Sequence, residues 1–249
     1  MEKLIYTLWD GRGGDRTERD AYCRSLRGPV TGELAAAGAR GVQVCVDDDA
    51  VADAQIRPCS FDEPVAAVVA VWLDRCHGPE YERVEEILRA NSAALAGYLV
   101  TESVPLPMPR PGAPDERIRG FTGVALLRRP ERIDPEHWRS RWQDHHTQLA
   151  IDIQGTFGYV QNLVVRAVTS DAPPLAAIVE EQFPDAATTD MYVFYGVDRS
   201  GDGAKDELHR RMREMQESTS TFGASERIDV IPSRACQMVC VRGGSPRLV

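Results

Sequence analysis

Two adjacent histidines, His145 and His146, sit in the stretch WQDHHTQLA at residues 142–150. An imidazole can hold a metal, exchange a proton near neutral pH, or pack at a core edge with its nitrogens bonded to the backbone. On a helical wheel Trp138, Trp142, Leu149 and Ile153 form one apolar stripe. His145 falls on one edge of that stripe and His146 on the other, beside Ala150, while Asp144, Thr147 and Gln148 point away. Adjacent helical positions diverge by about 100°, so the pair is a poor chelate for one ion, and no metal site is expected. Two readings stay open: a core-edge histidine, or a general acid/base facing a cleft.

The stretch that follows offers polar company. In a strand over residues 159–168, Tyr159, Gln161 and Leu163 point to one side and Val160, Asn162 and Val164 to the other. Sequence alone does not say which side faces a cleft. Residues 190–197, DMYVFYGV, read as another strand, with Tyr192 and Phe194 alternating with Val193 and Tyr195 and so offering an aromatic wall. Each of these aromatics could equally be core. The chain has no G-x-S-x-G, no P-loop and no G-x-G-x-x-G; the glycine turn at 11–14 lacks the helix start such a motif needs. No cofactor is expected.

What positions these residues is a chain written twice. Prolines at 105, 107, 109, 111 and 114 mark an extended linker, because proline fixes φ and lacks a donor. The expected organisation is a first repeat at 1–106, a linker at 107–117 and a second repeat at 118–249. In the first, strands are expected at 3–9, 41–48, 66–74 and 97–106, with helices at 17–37 and 79–95. In the second, strands are expected at 119–129, 159–168, 190–197 and 227–241, with helices at 134–154 and 204–222. Asp134 as N-cap followed by Pro135 is a helix start. Both halves are thus β-α-β-β-α-β, the ferredoxin-like order, and GVQV at 41–44 echoes YVQN at 159–162. The fold class is α+β, two tandem ferredoxin-like repeats. The open face of each sheet needs a cover, and two such sheets packed together form a barrel-like core.

Bulk properties narrow the partners. The 249 residues carry 29 basic and 38 acidic side chains, a net charge of −9, and the basic ones are scattered, so nucleic acid is not expected. The longest apolar run, residues 65–73, is far short of the roughly 20 residues of a spanning helix, so no membrane is expected either. The N-terminus lacks a signal-peptide pattern, and six dispersed cysteines suggest reduced thiols; a cytoplasmic location is the expectation. Cys236 and Cys240, spaced C-x3-C in an expected strand, lie too far apart for one small ion.

The stretch Trp142…His146…Leu149-Ala150, followed by Tyr159-Val160-Gln161-Asn162, resembles the EthD family, over most of residues 119–240. That resemblance implies a dimeric α+β barrel, here formed within one chain. It makes His146, rather than His145, the helix histidine facing the pocket. The matching stretch of the first half carries Arg27 at the histidine's place, so that repeat looks degenerate, with Arg27 either a carboxylate clamp or a surface residue. The resemblance implies a cofactor-independent enzyme of cyclase, isomerase, decarboxylase or monooxygenase type. Its substrate would be a hydrophobic or aromatic, polyketide-like small molecule. His146 would be the acid/base, with Trp142, His145, Tyr159, Gln161, Asn162, Tyr195 and Arg27 as substrate-binding candidates. The alternative is a non-catalytic binding or accessory protein of an oxygenase system; haem ligation by His146 ranks lower. A pseudo-dimeric monomer and a homodimer are both compatible with a tandem chain.

Overall fold

The computed structural model describes residues 1–11, 16–108, 116–234 and 236–238. The prolines at 109, 111 and 114, most of the glycine turn at 11–14, and Cys240 lie outside the described residues.

The first repeat is built from β1 (Glu2–Trp9), α1, β2 (Gly41–Val46), β3 (Ala67–Leu73), α2 (Pro79–Ala90) and β4 (Ala94–Leu106). Helix α1 runs through three consecutive segments, Arg16–Ser25, Leu26–Val30 and Thr31–Ala36, the middle one a π-helical turn. The second repeat has β5 (Phe121–Leu127), α3, β6 (Gly158–Ala167), β7 (Ala177–Phe183), a short α4 (Met191–Phe194), α5 (Ala204–Thr221) and β8 (Ile228–Ser233). Helix α3 likewise joins Pro135–Arg139, a π-helical Ser140–His146 and Thr147–Ile153. Asp134 caps it by accepting from the backbone N–H groups of Glu136 and His137.

Every strand pair is antiparallel, and the order is β2-β3-β1-β4 in one repeat and β6-β7-β5-β8 in the other. The seams between repeats are related by a pseudo-twofold. Long β4 pairs with β1 and then runs on to pair with β6. At the other seam the chain continues past β8 into a short β9, Cys236–Met238, which pairs with β2. The sheet therefore nearly closes on itself as a barrel-like α+β arrangement of two ferredoxin-like repeats. No helix among the described residues is long and apolar enough to cross a membrane.

Alternation along the strands separates two environments. Ile5, Ala70, Tyr98, Val124 and Ile178 point into the barrel. Leu4, Tyr6 and Val44 pack under α1 and α2, and Val179, Ala177 and Tyr159 under α3 and α5. The helix–sheet layers are where a cleft can form.

One expected strand is not a strand. Residues 190–197 form the short α4 and its exit turn, because Asp190 caps a helical turn by accepting from the Tyr192 N–H. The third strand of the second repeat is β7, with the sequence AIVEEQF. The proposed alternation of Tyr192 and Phe194 with Tyr195 is thereby lost. The GVQV/YVQN echo is also out of step, since Gln43 points into the barrel toward Glu180 while Gln161 points to the helices and bonds Thr147.

Candidate functional site

The π-helical turn in α3 decides which side chains reach the sheet. A π turn adds a residue to the ring closed by each hydrogen bond and shifts everything after it around the wheel. Thr147, expected outside, is 4% exposed, and its hydroxyl donates to the Trp142 carbonyl at 2.9 Å. His145 is exposed, so it does not share the buried edge with His146. In α1 the hydroxyl of Thr31 donates to the Leu26 carbonyl across the same five-residue step. Superposing the two turns by these threonines sets Val30, not Arg27, opposite His146. Arg27 instead pairs with Asp48 at 3.3 Å in the first repeat, away from the histidine.

Trp138, Trp142, Tyr159 and Phe222 are each at most 1% exposed and form an aromatic box between α3, α5 and the sheet. The two indoles pack at 5.1 Å between centroids, and Trp138 donates through Nε1 to the Phe222 carbonyl at 3.1 Å. The Trp142 indole N–H lies close enough to Tyr159 to ease its ionisation but outside hydrogen-bonding geometry. Burial dominates, driving the Tyr159 pKa far up, so this phenol stays neutral. Beside the box runs a polar strip: Gln161 donates to Thr147 Oγ1 at 2.6 Å and accepts from Ser103 Oγ at 3.0 Å. Asn162 faces the other way, into the barrel, where it donates to the Ile178 carbonyl and to Glu180, both at 3.1 Å. Tyr159 and Gln161 therefore line the helix–sheet layer and Asn162 does not.

His146 is 8% exposed, its ring 4.8 Å from that of Phe222 and its Nδ1 3.0 Å from Ser218 Oγ. Burial pulls its pKa down to about 4, so the imidazole is neutral at physiological pH. The unfolded chain then binds the extra proton more readily between about pH 6.5 and pH 4, and stability is lost as pH falls through that window. The loss reaches about 3 kcal/mol at the acid end, at roughly 1.4 kcal/mol per pKa unit. Urea titrations at pH 7 and pH 4.5 should show His146→Gln losing less stability on acidification than wild type; equal losses would count against a buried neutral imidazole.

The titratable group missed by sequence reasoning is Glu181. It projects from β7 to the helix side, directly opposite Tyr159 in the β6–β7 register. Its other neighbour, on β5, is Gly123, which contributes no side chain. No ion pair or hydrogen bond reaches its carboxyl among the described residues, and its side chain keeps partial solvent access. Desolvation alone lifts its pKa to about 7. Burial first, and the Glu181 charge second, raise the pKa of Tyr195, which lies in the next aromatic cluster with Phe183 and Phe194. Beside Trp138 an open cavity of about 310 Å3 is lined by the apolar Pro135, Leu163 and Ala176 and by the arginines Arg129 and Arg139. No group of three or more metal-ligating side chains occurs among the described residues.

Residues 130–194, which carry α3, β6 and β7, match the family model for the EthD domain. Compared with curated proteins, the chain matches none. Among solved structures, an anthrone oxidase-like protein is 10% identical with a TM-score of 0.51, covering 95% of this chain and 92% of that one. A protein provisionally assigned as a monooxygenase, from Lactobacillus acidophilus NCFM, is 12% identical with a TM-score of 0.46, covering 96% of both chains. The first of these likenesses shows a shared fold.

Proposed function

We propose, from the match of residues 130–194 to the EthD domain model and the nearly closed α+β barrel that holds them, a small cofactor-independent enzyme that moves a proton on a hydrophobic, aromatic small molecule. Glu181 carries this reading. It is a carboxyl in a helix–sheet layer, facing a neutral phenol, with no partner among the described residues to hold it in one protonation state. An acid/base works best with a pKa near the operating pH, which Glu181 has and His146 does not. Substrate reaches the layer through the opening beside Trp138. Glu181 takes a proton from a carbon next to a carbonyl or from a phenol, and Tyr159 and the Thr147–Gln161 pair orient the oxygen that gains charge. His146, neutral, positions the substrate as a hydrogen-bonding group.

Anthrone is the first compound to try, with its acidic methylene between two rings. Proton loss from that carbon gives the enolate; dioxygen then oxidises it, anthrone plus O2 yielding anthraquinone plus water. Deuterium exchange at the methylene under argon isolates the proton step. Wild type should accelerate exchange with a rate rising with pH through about 7, and Glu181→Gln should lose at least 100-fold. His146→Gln should lose less than tenfold. Equal exchange by wild type and Glu181→Gln would refute this assignment.

A second reading has its own support: the box is filled by its own aromatic side chains, which suits a protein that opens to hold a ligand without changing it. Saturable quenching of tryptophan fluorescence, with the ligand recovered unaltered, would favour it.

A further inference from the structure

The cavity beside Trp138 is walled by cations and apolar groups. Its charged lining residues are Arg129, just past β5, and Arg139, on α3; the other lining residues are apolar. Both arginines lie well inside the described stretch 116–234, and neither pairs with a carboxylate among the described residues. The acids around them are placed otherwise. Asp134 caps α3 and bonds His137. Glu102, on the neighbouring β4, is taken by Lys3. Glu131, Glu136 and Asp171 are exposed and do not line the cavity.

The two guanidiniums differ in how they are held. Arg129 is anchored from behind: its Nη1 donates to the Ile133 carbonyl and, at 3.4 Å, to the Pro130 carbonyl. Its other donors have no partner among the described residues. Arg139 is exposed and has no hydrogen bond or ion pair among them. In a chain of net charge −9, an opening lined by two guanidiniums free of carboxylates favours an anion, and their forks suit a planar carboxylate.

The sheet register relates this opening to Glu181. Leu163, in the cavity wall, pairs with Ala177, and Tyr159, in the aromatic box, pairs with Glu181. The two pairs are four positions apart on β6, about 13 Å at roughly 3.3 Å per residue. Trp138 belongs to both the cavity wall and the box. We propose that the substrate is an aromatic acid. Its carboxylate is held by Arg129 and Arg139 at the opening, and its fused rings pass Trp138 toward Glu181. This inference rests on the proton-transfer reading for where the rings go; the arginines define the other end of the molecule.

Equilibrium dialysis of the full chain against anthraquinone-2-carboxylate tests it, with 2-(hydroxymethyl)anthraquinone as the uncharged comparison. Neither compound has an acidic ring carbon, so the measurement reads binding alone. One acid should bind per chain, at least about tenfold tighter than the alcohol. Arg139→Gln should weaken the acid at least about fivefold and leave the alcohol within about twofold. Arg129→Gln should weaken the acid further, because its guanidinium is the anchored one; should that variant unfold, Arg139→Gln decides. The proposal is overturned if neither compound binds, if the alcohol binds as well as the acid, or if Arg139→Gln keeps the full preference for the acid. Glu181-dependent exchange of anthrone without a preference for the acid would overturn this inference alone. A preference for the acid without any such exchange would overturn the proton-transfer reading and leave the arginine site standing.

Discussion

Lys3→Met is expected to destabilise the protein by about 3–5 kcal/mol, the cost of stranding a buried charge. Lys3 lies on the barrel face of β1 and is 5% exposed. Its Nζ sits 2.6 Å from Glu102, 3.0 Å from Glu180 and 4.8 Å over the Trp72 ring. Glu102 is about a third exposed and can fall back on water. Glu180 is 4% exposed, and beyond Lys3 its partners among the described residues are the amides of Gln43 and Asn162. Although burial opposes its charge, the lysine and the two amides hold the Glu180 pKa below the usual carboxylate range. That lowered pKa contributes stability present above about pH 4.5 and lost as pH falls. Without Lys3 the sign reverses: burial raises the Glu180 pKa, and the variant weakens as pH rises. Adding Glu180→Gln should restore most of the loss, because a neutral amide needs no counter-charge. Urea unfolding at pH 5 and pH 8 separates these outcomes, and a Lys3→Met loss below 1 kcal/mol at pH 8 would sink the argument. The cluster joins β1, β2 and β4 of one repeat to β6 and β7 of the other. It therefore fixes how the halves meet.

The tandem βαββαβ order was legible because its signals are local. Pro79 and the Asp134–Pro135 pair start helices by their own chemistry, and apolar runs such as AVVAVWL need only their neighbours to be read as buried strands. The misplaced strand shows what local signals miss. DMYVFYGV is rich in strand-favouring residues, yet it turns back on itself, with Gly155 so close that a Cβ there would lie 2.3 Å from the Val193 carbonyl. In AIVEEQF two adjacent glutamates break the alternation by which a strand is read locally. Each has a reason to be there that lies elsewhere in the chain: Glu180 meets Lys3, 177 positions away, and Glu181 faces the helix layer. The candidate site was half legible for the same reason. Trp142, His146, Tyr159 and Gln161 converge as a helix-then-strand pattern would place them. Asn162, His145 and Arg27 fall outside because strand facing, a π-helical turn and the pairing of Asp48 are set by tertiary structure.

Trp142→Ala should cost about 3–5 kcal/mol, the range for truncating a large buried aromatic. The indole is fully buried against Trp138, and its partners are fixed from behind: Trp138 by its bond to the Phe222 carbonyl, Tyr159 by its place in β6. The box cannot collapse into the space, so a ring-sized void remains. Its lining, with Ala150, Val179 and Tyr159 around it, is largely apolar, and such voids stay dry and take up small aromatics. Indole added to the variant should therefore return stability in proportion to RT ln(1 + [L]/Kd), about 2.7 kcal/mol at a hundredfold excess over Kd. Denaturation with and without indole reads both effects. A loss under 1.5 kcal/mol would mean that the box closes over the missing ring. Full loss with no gain from indole would mean that water fills it, drawn by the Glu181 carboxyl across from Tyr159.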